Sequence, residues 1–172
     1  MNIVNVLKNE HFQTEDDLPK KGTEFASCFD IVAVSDPEIK GDCGTWGFRS
    51  IDYIQYRTGL FVDHDREIWR DILVCPRSSI SKYNLVMANP WAIIDNDFRG
   101  GILIRFKYVF QPIDLNTSDE GLVINVNKKA IYQKGDKIAQ IRLSEVLPIE
   151  FKFVDKLTDT ERGGGGFGST GK

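Results

Sequence analysis

The chain has 172 residues, 41% of them hydrophobic and 27% charged. That suffices to bury the core of one domain without disulfides or metal. A net charge of −3 lacks the basic excess of domains that hold polymeric nucleic acid, yet leaves room for a small anion gripped by local donors.

Read in chain order, the first residues, MNIVNVLKNEHF, carry no apolar run long enough for a signal peptide, and no later stretch approaches a membrane span. A soluble protein of the cytosol, or of a host cell's cytosol, is expected. Cys28, Cys43 and Cys75 are odd in number and form no C-x-x-C pair, so they read as reduced thiols. DHDREIWRDI looks helical, with Ile68, Trp69 and Ile72 near one face, whereas DILVCP and NLVMANPWAII are dense apolar runs suited to covered strands. ILIRFKYVF alternates, with Ile104, Phe106, Tyr108 and Phe110 on one side and Arg105 and Lys107 on the other. LVINVN and PIEFKFV repeat the period of two, the latter through Ile149, Phe151 and Phe153. Many short strands separated by turn signals predict an all-β sandwich or jelly roll over residues 1–157. From 158 to 172 the apolar content collapses to Phe167 among glycines, so this segment reads as a flexible tail outside the core.

Chemistry-bearing residues gather in the turns. In IIDNDFRGG, Asp95 and Asp97 flank a turn, where carboxylates either cap backbone amides or orient a water as general base. Gly166, Gly171 and Lys172 have P-loop spacing, but neither a helix nor a Ser or Thr follows the lysine, so a Walker motif is not expected. The tail instead combines Arg162, a bidentate phosphate ligand by shape, with the Ser169 and Thr170 hydroxyls and one aromatic ring, Phe167. That order suits a lid over a nucleoside phosphate. His64 and His11 have no ligand spacing, and His64 reads as an exposed loop residue.

Five segments in order, ASCFDI (26–31), PRSS (76–79), NPWAIIDNDFRG (89–100), GDKIAQI (135–141) and RGGGGFGSTG (162–171), resemble the motifs of trimeric dUTPases. The resemblance implies a distorted jelly-roll subunit in a homotrimer with shared sites, and Mg²⁺-dependent hydrolysis of dUTP to dUMP and pyrophosphate. It implies Asp95 as general base for water attack on the α-phosphate, Arg77 and Ser78 as catalytic groups on the phosphates, and Gln140 as a further phosphate contact. Asn89 matches the uracil reader and Phe98 the ring that packs on deoxyribose, where the family commonly has tyrosine; Asp97 is expected to hold the hairpin. Arg162, Phe167, Gly168, Ser169 and Thr170 match the closing lid, and Asp30 matches an outer-shell partner of the metal's waters.

Cys28, Ala92 and Ser79 stand where the family commonly has glycine, and Ala92 would be strained if its backbone needed positive φ. The stretches 36–68 and 111–127 are longer than is typical. They read first as surface decoration, and the second also as a surface for a regulatory protein partner. A dCTP deaminase would share the trimeric fold and an RSS-like segment but needs a glutamate near the base and lacks this tail. A binding protein built on the same fold would not need every catalytic position filled, as here.

Overall fold

The structure, a computed structural model, describes residues 3–64, 69–119 and 121–165. Twelve strands are described: β1 (Val4–Val6), β2 (Phe29–Val32), β3 (Glu38–Cys43), β4 (Phe48–Arg57), β5 (Val62–His64), β6 (Arg70–Pro76), β7 (Leu85–Met87), β8 (Ala92–Ile94), β9 (Leu103–Tyr108), β10 (Leu115–Ser118), β11 (Gly121–Ile124) and β12 (Lys137–Glu145). The helical segments among the described residues are 3-10 turns of three to five residues, and none is long and apolar enough to cross a membrane.

One sheet runs β10-β11-β4-β9-β7, with β3 also on β4; the other runs β2-β12-β6-β8; β1 and β5 form a two-stranded ribbon. The alternation in β9 plays out as expected: Ile104, Phe106 and Tyr108 are buried while Leu103, Arg105 and Lys107 face out. From the other sheet, Ile31, Ile72, Val74, Ile138, Ala139 and Ile141 join the same core, making the face-to-face packing of a jelly roll. At its center the Phe106 and Tyr132 rings lie 5.5 Å apart, Tyr56 meets Phe106 edge-on at 5.7 Å, and the Tyr56 hydroxyl donates to the Tyr132 carbonyl at 2.8 Å. Burial pushes the Tyr56 hydroxyl's pKa far up, so it remains a donor.

Several local expectations fail, each because pairing partners decide strands more than local pattern does. The helix expected at 63–72 does not form at its described ends: His64 pairs with Val4, and Arg70–Ile72 pair with β12; residues 65–68 lie outside the described set. His64 is accordingly buried in a strand rather than exposed in a loop. PIEFKFV has the alternation of a strand but pairs with no strand among the described residues, and Ile149, Phe151 and Phe153 are all exposed. Phe110 lies just past the end of β9 and is half exposed.

The two longer stretches are sheet rather than decoration. Residues 36–57 supply β3 and the ten-residue β4, the strand that joins most of its sheet. Residues 111–127 supply the β10–β11 hairpin, bonded to β4 through Ile124↔Phe48. Its root is fixed by Asp114, which is 3% exposed; one carboxylate oxygen accepts from the Tyr108 hydroxyl and from the Gln111 amide, both at 2.7 Å. The Tyr108 oxygen in turn accepts from the Asn127 amide at 3.0 Å.

Tyr56→Phe leaves the buried Tyr132 carbonyl without its donor. It is expected to lower the unfolding free energy by about 2 kcal/mol, read by urea unfolding at fixed protein concentration.

Candidate active site

Three strands of the second sheet place charged groups on one face. Gln140 of β12 pairs with Asp30 of β2 on one side and Cys75 of β6 on the other, and cross-strand partners share a face. Arg77 follows Cys75 by two and belongs to that face as well. The Asp30 carboxylate, 12% exposed, is held from both sides: Arg77 Nε lies 2.7 Å from Oδ1 and Lys137 Nζ 2.9 Å from Oδ2. Gln140 Nε2 donates to the Pro76 carbonyl at 3.0 Å, next to Arg77. Pro76 has no amide hydrogen, and β6 ends there. The chain then turns at Ser78–Lys82, with Ile80 N–H donating to the Arg77 carbonyl. Ser78 is exposed at the start of this turn, and Ser79 lies 3.5 Å from Arg77 Nη1, at the outer limit of a hydrogen bond. Burial pushes the Cys75 thiol's pKa up, with the Cys28 thiol nearby adding to the effect. All three cysteines are free thiols.

Asp95 sits elsewhere. β8 pairs with β6 through Val74↔Ala92 and Ile72↔Ile94, and a turn closes from Phe98 N–H to the Asp95 carbonyl at 3.1 Å. The expected hairpin is not one, because β8 stays in this sheet while β9 crosses to pair with β4 and β7. Ala92 lies in regular strand opposite Val74, an extended position that alanine adopts freely. Among the described residues the Asp97 side chain has no hydrogen-bond partner in the turn. Arg99 holds it, donating from Nη1 to the Asn96 and Phe98 carbonyls at 2.7 and 2.9 Å and pairing through Nη2 with Asp63 at 2.5 Å. The Asp95 side chain is exposed and lines an open cleft of about 350 Å³ with Trp69, Arg70, Asp71, Asn96 and Val146. Asn89 is exposed before β8, and Phe98 is half exposed past the turn. A Cβ on Gly100 would sit 2.5 Å from the tip of the Phe98 ring.

The sequence-predicted residues therefore fall into two groups. Asp30, Arg77, Ser78 and Gln140 gather at one end of β6, and Asp95 stands at the other. Ile94 is registered with Ile72, so Asp95 falls level with Asp71, six residues before Arg77, which separates Asp95 from Arg77 by roughly 20 Å along the strand. Arg162 is exposed, its Nε donating to the Gly165 carbonyl at 2.9 Å; Phe167, Gly168, Ser169 and Thr170 lie outside the described residues.

The family model for dUTPase matches residues 14–171, nearly the whole chain. The chain belongs to the dUTPase family. The deoxyuridine 5'-triphosphate nucleotidohydrolase of Nautilia profundicola is 30% identical over 167 residues, covering 96% of this chain and 99% of the relative. That of Fusobacterium nucleatum is 32% identical over 170 residues, covering 98% and 97%. Among solved structures, Staphylococcus bacteriophage 80alpha dUTPase with dUpNHpp aligns over 100% of both chains with a TM-score of 0.66 at 21% identity. A mutant dUTPase from S. aureus phage phi11, described as revealing the coordination of a structural Mg(II) ion, aligns over 92% of this chain and 99% of its own with a TM-score of 0.59 at 18% identity. These two structures are similar in fold.

Two residues next to the predicted ones carry no signal of their own in the sequence. An arginine beside two glycines looks like a solvated turn residue, and the grip of Arg99 on two carbonyls is a matter of geometry. Lys137 is one of many lysines in the string, and only its contact with Asp30 brings it forward. Removing the Arg99 grip is expected to cost catalysis more than folding. Arg99→Ala should lower kcat by about an order of magnitude, the loss of about 1.4 kcal/mol of positioning, and speed hydrogen exchange at the Phe98 amide while leaving core amides protected.

Proposed function

We propose that this member of the dUTPase family hydrolyses dUTP to dUMP and pyrophosphate at sites shared between the chains of a homotrimer. The observation that carries the reading is the gap within one chain. The cation cluster at Arg77 and the exposed carboxylate of Asp95 lie at opposite ends of β6, too far apart to act on one phosphate. A second copy bringing its Asp95 to the first copy's Arg77 closes that gap.

In this reading the Asn89 amide, both donor and acceptor, reads the uracil edge. The Phe98 ring packs where a 2′-hydroxyl would sit, and Gly100 leaves room for it. Arg77, Ser78 and Gln140 hold the phosphates and offset charge as it moves to the leaving pyrophosphate. Asp95 takes the proton from a water that attacks the α-phosphorus in line. Residues 158–172 act as the lid on the domain formed by 1–157, with Arg162, Ser169, Thr170 and Gly168 gripping phosphate and Phe167 covering the base.

Among the described residues no group of three or more His, Cys, Asp or Glu comes together, so these residues supply no closed metal cage. That fits Mg²⁺, which keeps water ligands and travels on phosphates. Asp30 would meet those waters. Bound there, Mg²⁺ supplies neutralisation of the triphosphate charge. The three thiols stay reduced in a cytosolic setting.

Two surfaces favour company. The unpaired alternating segment around Ile149, Phe151 and Phe153 has the pattern of a strand that needs another chain's edge. The 111–127 hairpin presents β10 as an open edge, with Ile113 and Leu122 exposed, a surface for a regulatory protein partner.

Purified protein with Mg²⁺ should release pyrophosphate from dUTP and far less from dCTP, dTTP or UTP, and Asp95→Asn should abolish this. Mixed and reassembled, the inactive Arg77→Ala and Asp95→Asn chains should recover activity, because some sites then draw an intact group from each. Failure of the mixture to recover activity would count against shared sites. Gly100→Ala pushes the Phe98 ring aside, so UTP hydrolysis relative to dUTP should rise, read as a ratio of kcat/KM values.

A further inference from the structure

β12 contains an irregularity with a chemical result. Its pairing with β2 runs Gln140↔Asp30 and Ala139↔Ile31, then jumps to Lys137↔Val32, so Ile138 is an extra residue. Ile138 and Ala139 are both fully buried, two neighbours on the core side where a regular strand allows only one. The bulge inverts whatever precedes it. Lys137 would otherwise lie on Ala139's side, facing the core; instead it lies on the face of Asp30, Gln140 and Arg77. Bulges beside active sites commonly re-aim a side chain in this way.

The lysine arrives at the cation cluster with capacity to spare. Its ammonium has three donors and one protein partner among the described residues, Asp30 Oδ2 at 2.9 Å. Its side chain is 52% exposed, against 12% for Asp30. With Arg77 on the other carboxylate oxygen, two cations share one anion and the face keeps a net positive charge.

We propose that Lys137 is a second phosphate-binding cation of the site. Together with Arg77 it holds the triphosphate chain, and Asp30 is the carboxylate that keeps the two cations side by side. The proposal deepens the dUTPase reading and rests on it for the identity of the substrate, but its anion site stands on the geometry of this face.

The test uses the full chain and inorganic tripolyphosphate, followed by calorimetry at fixed salt, beside dUTP kinetics. Lys137→Gln should weaken tripolyphosphate binding about ten-fold, as the loss of one charge-assisted contact implies. It should raise KM for dUTP by a similar factor, with kcat within about three-fold, and Lys137→Arg should restore most of both. Unchanged tripolyphosphate affinity in Lys137→Gln, whether or not its melting temperature drops, would overturn the proposal, because a purely structural ion pair moves only stability. So would a wild-type chain that does not bind tripolyphosphate. Lys137-dependent tripolyphosphate binding in a chain that hydrolyses no dUTP would sink the dUTPase reading and leave this one standing.

Discussion

An extended strand cannot bring its own two ends together, and the chemistry of this chain is laid out along one. β6 is locked by seven consecutive pairs to β12 on one side and by three to β8 on the other. Its C-terminal end delivers Arg77, and its N-terminal end lies beside the turn that carries Asp95. Arg77 directly follows β6 and Asp95 directly follows β8, so the register of these two paired strands sets the distance between them.

What makes the frame rigid is the core behind it. The Tyr56, Phe106 and Tyr132 rings pack where the two sheets meet, and the Tyr56 hydroxyl is spent on the carbonyl of Tyr132. The bulge in β12 is part of this frame. With both Ile138 and Ala139 buried, sliding the strand by one residue would expose one of them and drive Lys137 into the core, so the register has a steep penalty on either side. An irregularity in the ladder is thus held in place by apolar packing on the opposite face.

The architecture was legible where side chains report on their own strand. The alternation through Ile104, Phe106 and Tyr108 read correctly, as did the dense run Ile72–Leu73–Val74 and the all-β class. It was not legible where a neighbour decides. PIEFKFV alternates as well as β9 does, yet no strand edge among the described residues meets it. DHDREIWRDI carried apolar residues at helical spacing, but Ile72 was claimed by the core and Trp69 by solvent. In the site, the motifs named Asp30, Arg77 and Gln140, which share one face. The distance between Arg77 and Asp95 could not be read from a string in which they stand eighteen positions apart, because only the register of β6 against β8 sets it.

Under the proposed assembly, the exposed strip beyond β12 would tie the protein's persistence to its abundance. In a lone chain, Leu147, Ile149, Phe151 and Phe153 are all exposed, a run of the kind that chaperones and proteases seize. Were the strip covered in the proposed assembly, folding and association would merge into one concentration-dependent event. Chains made in numbers too few to find one another would remain marked for removal. Above that level the mark disappears, and the cell's degradation machinery would separate scarce, inactive single copies from working assemblies.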